Sequence, residues 1–226
     1  MDIKVYALIG AVIFGQLGFV SYAMASPTSQ FSQNITAGTL TRDIVDGSYQ
    51  TVANPGVQMS NTSFSFNCQT TNGTFGSSTQ MIYVQNPDAS DSGWTLSLAA
   101  SNETDLWTDG GTNQFDYNDY DAAGLLNCAD TASDTDTKGG QMSVNPAAGT
   151  LAAGTCSGCT TGSITKGSLD KFGESVTSSI TLLSAAAGSD DIGDWKLTGV
   201  AVSQKIPASQ PSAVYTLSLT LSITAI

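Results

Sequence analysis

The chain contains no histidine. That removes the usual base for activating a serine or cysteine, and with it the Ser-His and Cys-His arrangements of nucleophilic catalysis. Positive charge is scarce too: Lys and Arg number 7 against 19 Asp and Glu, for a formal net charge of −12. Such a surface repels nucleic acid and anionic lipid and attracts divalent cations. The sequence also lacks a glycine-rich phosphate loop after a strand and a basic stretch interleaved with aromatics, so it offers neither a nucleotide nor a nucleic-acid site. No segment of the mature chain repeats apolar residues every 3.6 positions over two full turns, which excludes helix as the main architecture.

The chain does carry alternation. In residues 214–226, Tyr215, Leu217, Leu219, Leu221 and Ile223 alternate with Thr216, Ser218, Thr220, Ser222 and Thr224. This period of two turns one apolar face inward and one hydroxyl face outward, and its expected partner strand begins at Trp195-Lys196-Leu197. Further strands are expected at 39–45, 57–66 (Val57, Met59, Phe64 and Phe66), 80–85, 93–100, 141–144, 163–166, 175–184 and 194–204, with turns such as Asn54-Pro55-Gly56 and Asn86-Pro87-Asp88 between them. Ala185-Ala186-Ala187-Gly188 is expected to close a helical turn at most. About nine short strands with Gly/Pro turns predict an all-β fold, an antiparallel β-sandwich or jelly roll, interrupted by one long Asp-rich loop over 102–140.

The first 25 residues have the three parts of a signal peptide: charged Met1-Asp2-Ile3-Lys4, an apolar run over 5–22, and small residues at Ala23 and Ala25. An uncleaved membrane anchor is the alternative, since about 20 apolar residues span a bilayer. With cleavage after Ala25, residues 26–226 form a single secreted β domain with no membrane segment left. The four cysteines, Cys68, Cys128, Cys156 and Cys159, all lie in that part, and an even count in an exported chain reads as disulfides. Pairing of Cys68 with Cys128 and of Cys156 with Cys159 is expected, because Cys156-Ser157-Gly158-Cys159 sits in a Gly/Thr-rich turn where a local bridge costs little chain entropy. A redox Cys-x-x-Cys would need a βαβ context, and a four-Cys zinc site a second close pair; neither is in view.

One stretch converges on a chemistry. Asp116, Asn118, Asp119, Asp121, Asp130, Asp134 and Asp136 crowd into the long loop, and counted from Asp119 oxygen ligands fall at positions 1, 3, 9 and 12, with Gly124 at 6 and Leu126 at 8. This approaches the spacing of a calcium loop, although position 5 is Ala123 and no flanking helices are expected. Calcium is therefore the expected cofactor, against a solvated acidic loop. A carboxylate pair of a glycosidase among residues 105–136 is the remaining enzymatic option, and the reading here is non-enzymatic. Asn34, Asn61, Asn72 and Asn102 head four glycosylation sequons. Trp94 and Trp195 each share a strand face with the Leu two residues on and are expected in the core rather than as a glycan platform, whereas Trp107 is the expected exposed aromatic.

The motifs Trp94-Thr95-Leu96 and Trp195-Lys196-Leu197 make the region 86–226 similar to the WxL-domain surface proteins of bacteria. In that family the second motif lies in the last strand after a Tyr, whereas here Trp195 comes one strand earlier. The resemblance implies a secreted, β-rich structural or adhesive protein of the cell surface that attaches non-covalently to the cell wall. Residues 34–45, with Gly38, Leu40 and the strand that follows, resemble TasA-like subunits of biofilm fibres, which implies self-assembly as the alternative. The implied partners are cell-wall polymer, other surface proteins or the chain itself.

If the leader is cleaved as its small residues predict, intact mass of the secreted protein gives Ser26 as the first residue. A mass retaining residues 1–25 would establish the anchor instead.

Overall fold

Hydroxyl-rich strands with apolar residues at every second position pair into antiparallel sheets and little else. The structure is a computed structural model that describes residues 32–88, 90–120, 128–131 and 136–226, and its β-rich body spans Ala37–Ile226. The strands are β1 (Thr41–Val45), β2 (Gln69–Phe75), β3 (Met81–Asn86), β4 (Trp94–Ala100), β5 (Trp107–Thr108), β6 (Gln114–Phe115), β7 (Met142–Asn145), β8 (Thr150–Ala153), β9 (Ile164–Lys166), β10 (Asp170–Lys171), β11 (Ser179–Ala185), β12 (Gly193–Thr198), β13 (Val200–Ile206) and β14 (Leu219–Ala225). The fold is thus an all-β antiparallel sandwich with more strands than the nine expected. Helix is confined to a single 3-10 turn, Pro146–Ala148, among the described residues.

Three four-stranded sheets run in the orders β1-β3-β12-β8, β10-β7-β13-β2 and β14-β4-β11-β9, and β5 and β6 form a short hairpin inside the long loop. Where one strand was expected over 194–204, there are two. Gly199 (φ +75) ends β12 and sends β13 into a different sheet, a left-handed backbone position that glycine adopts without steric cost. The strand expected over 175–184 starts at Ser179 and is bulged where it faces β4, with a register shift between Thr181 and Leu183. A bulge breaks the alternation, and Leu182 and Leu183 are accordingly both buried.

The C-terminal strand pairs with β4, Leu221 opposite Leu98 and Ile223 opposite Leu96, and not with the Trp195 strand. The reason is layering: Trp195 and Trp94 lie on different sheets and meet across the core, ring centroids 5.8 Å apart and planes tilted by 39°. Their strands pack rather than pair. Since β14 stands at the end of its sheet, its apolar residues are half-buried, as are Tyr215 and Leu217 just before it. No strand forms around Phe64 and Phe66, which are exposed and stack edge to face on each other. Ala185 ends β11, and a turn follows it in place of the expected helical one.

Trp94 is 0% and Trp195 1% exposed, so both fill the core. Trp195→Ala is expected to cost about 3 to 5 kcal/mol in chemical denaturation, whereas Phe66→Ala, on the surface, should stay within about 0.5 kcal/mol of the parent.

Candidate functional site

Two loops carry most of the buried carboxylate chemistry among the described residues. The first is the Asp-rich one. Asp116, Asn118 and Asp119 are buried, on a segment fixed by backbone bonds from the Asp116 N–H to the Gly139 carbonyl (2.9 Å) and from the Asp119 N–H to the Gly140 carbonyl (3.1 Å). The Asp116 carboxylate folds back on its own chain, accepting the N–H groups of Tyr117 (2.6 Å) and Asn118 (3.1 Å). Asn118 donates its amide to the Glu103 carbonyl (3.0 Å). The Asp119 carboxylate accepts the backbone N–H and the hydroxyl of Thr131, and so pins the far side of the loop next to Cys128. Asp136 accepts the N–H of Lys138 (2.7 Å), and Asp130 is exposed. Asp121 and Asp134, the other two expected ligands, lie outside the described residues.

Acidic groups nonetheless converge here. Burial pushes the Tyr117 phenol up from its usual value, and the negative charges of Asp116, Asp105, Glu103 and Glu174 push it further. Sequence reading missed Glu103 and Glu174, which reach this place from the β4–β5 connection and the turn before β11. Their separation along the chain left no local pattern to find.

The second loop hangs from β8 and is built around Asp194 of β12. Asp194 is buried, and its carboxylate accepts the Tyr83 hydroxyl, the Thr155 N–H (2.7 Å) and hydroxyl (2.8 Å), and the Cys156 N–H (2.8 Å). Burial raises its pKa, but these hydrogen bonds outweigh that and hold it below the ordinary 3.8. Burial and the same carboxylate push Tyr83 up to about 12. The Cys156–Cys159 disulfide closes this loop, and the Trp195 Nε1–H donates to the Thr160 carbonyl at 2.8 Å. A Cβ on Gly193 would meet the Cys159 sulfur, so the residue before Asp194 has to be glycine for the loop to close. Cys156, Cys159 and Asp194 form the one group of three ligand-type side chains within 4.8 Å among the described residues, but both sulfurs are spent in the disulfide and neither is a thiolate. The other bridge joins Cys68 to Cys128 and ties the Asp-rich loop to the start of β2.

A groove of about 750 Å³ lies beside β14, its wall made by Ile44, Val57, Met59, Trp107, Tyr215 and Leu219, with Thr216, Ser218 and Thr220 also along it. Trp107 is half-buried rather than exposed as expected, because its ring stacks on Phe115 (5.8 Å) and its Nε1–H donates to Gln204 (2.9 Å). The sequon residues Asn34, Asn61, Asn72 and Asn102 are all exposed.

Comparison with family models, with curated proteins and with solved structures finds no match to this chain.

Asp194→Asn should lower stability by about 1 to 3 kcal/mol at neutral pH, because an amide cannot accept all four donors. The folded pKa is depressed, so the carboxylate's contribution is complete above its unfolded value of 3.8 and fades as pH falls below it. Urea denaturation should therefore show the gap between parent and variant narrowing below that pH. A gap that held constant would mean the ionised form is not what the loop requires.

Proposed function

We propose that this is an exported structural and adhesive protein of the cell surface, non-enzymatic, which associates non-covalently with cell-wall polymer. The observation that carries the reading is an acidic, hydroxyl-faced sandwich in which one disulfide ties down the Asp-rich loop and the other closes the turn over 156–159. Covalent closure suits a protein working in an oxidising space without the cell's folding machinery. The groove beside β14 supports wall polymer as the partner. Trp107 and Tyr215 line it with half-buried rings, and the Thr216, Ser218 and Thr220 hydroxyls offer hydrogen bonds, the mixture of aromatic and polar groups that carbohydrate binding uses. Trp94 and Trp195, being in the core, act as framework for this surface rather than as contacts. In the same reading, calcium stiffens the loop over 116–136 by offsetting the repulsion among its carboxylates.

Self-assembly into a fibre or surface layer is the second reading, favoured by the position of β14 at the edge of its sheet, where a further strand can add. Sedimentation with purified cell wall, beside negative-stain microscopy, separates the two. The chain is expected in the wall pellet, and Tyr215→Ala should weaken retention roughly tenfold, the equivalent of one lost aromatic contact, while Phe66→Ala leaves it unchanged. Filaments in the purified protein with no wall retention would support the fibre reading instead.

A further inference from the structure

A third acidic locus lies where Asp91, just before β4, meets the turn 188–192 before β12. The two are tied by the Gly188 N–H to the Asp91 carbonyl (3.0 Å), and the turn is tightened by the Asp191 N–H to the Ser189 carbonyl (2.8 Å). Asp191 is 0% exposed. The Asn86 amide donates to its backbone carbonyl (2.8 Å) and to its Oδ2 (3.2 Å), which fixes the carboxylate in place. Its Oδ1 is buried and makes no hydrogen bond of normal geometry, and the Ser189 hydroxyl, two residues earlier, is likewise buried without a partner. Against this carboxylate stands a second one, Asp91, within hydrogen-bonding reach, on a backbone in the left-handed region (φ 55).

A buried carboxylate facing another carboxylate is a costly arrangement unless something positive lies between them. Burial raises the Asp191 pKa, Asp91 raises it further, and the nearby N–H groups of Asp191 and Gly93 offset this only in part. The left-handed backbone at Asp91 adds strain, of the kind that persists where the surroundings demand it. Two buried oxygens that lack a hydrogen bond of normal geometry, beside a second carboxylate open to solvent on one side, make a donor set of hard oxygens only. That set selects calcium, which takes six to eight such ligands and completes its shell with backbone carbonyls and water.

We propose that Asp191, with Asp91 and the Ser189 hydroxyl, forms a calcium site that locks the entry of β4 to the entry of β12. These are the strands that carry Trp94 and Trp195, so the ion would clamp the two sheets at the end where the tryptophans meet. The site shares no residue with the loop over 116–136 and requires no wall association.

Calorimetry of the full chain in chelator and in excess calcium tests it. Calcium at a hundredfold excess over Kd should raise Tm by roughly 5 to 10 °C. Asp191→Asn should remove most of the rise, any remainder belonging to the loop over 116–136, while keeping or raising the calcium-free Tm, because an uncompensated buried charge is gone. Asp91→Asn, an exposed change that leaves folding intact, should remove most of the rise. Asp119→Asn should retain most of it. A rise lost in Asp119→Asn but kept in Asp91→Asn and Asp191→Asn would overturn the proposal and assign calcium to the Asp-rich loop. No rise in the parent would overturn it too, and Tm falling as pH increases, without response to calcium, would show that the two carboxyls share a proton instead.

Discussion

Trp94 and Trp195 come from strands about a hundred residues apart in sequence, and their rings meet between two sheets. Much of the molecule depends on that contact. Trp94 sets the inner face of β4, against which both β11 and β14 pair, and Trp195 sets that of β12, between β3 and β8. The Trp195 indole also reaches out of the core to the Thr160 carbonyl, which fastens the disulfide loop to the sandwich. A pair of large rings, of which one has its indole N–H engaged by a loop carbonyl, thus joins core packing to loop placement, which aliphatic residues of the same volume could not do.

The excess of aspartate is used largely for turns. Asp46 accepts the N–H groups of Ser48 and Gln50, Asp88 that of Ser90, Asp109 that of Gly111, Asp136 that of Lys138, and Asp116 those of the two residues after it. Short carboxylates satisfy backbone donors locally where strands end, as amides and hydroxyls also do. The Asp109 carboxyl, for instance, is held below its ordinary value by the Asn113 amide and the Gly111 N–H. Acidity here is partly a consequence of a fold with fourteen strands among the described residues and many turns. Asp191 differs from these turn-forming residues in being buried with a second carboxylate, Asp91, against it, and that pairing is what points to a ligand.

Reading the chain for function went furthest where side chains act locally. The Cys-x-x-Cys turn, the burial of Trp94 and Trp195 and the alternation in β14 each rest on neighbours two or three residues apart. Partnerships failed where they rest on distance. The Trp195 strand looked like the mate of β14 because both are apolar and close in sequence, but the intervening β13 crosses to another sheet at Gly199. Trp107 looked exposed because nothing apolar alternates around it, yet Phe115 and Gln204 come in from other strands to cover it.

The acidic loop shows the same division. Its carboxylate density and its cysteine are plain in the sequence, whereas the turning of Asp116 onto its own backbone, the clasp of Asp119 by Thr131 and the approach of Glu103 and Glu174 depend on the packed state. Sequence alone determined that this chain is all-β, acidic and rich in potential cross-links, because strand period, charge and cysteine count are properties of residues and their near neighbours. Only the tertiary structure decided which strands share a sheet, which tryptophans meet and which aspartates lose their water, because burial is conferred by residues that the chain brings from far away.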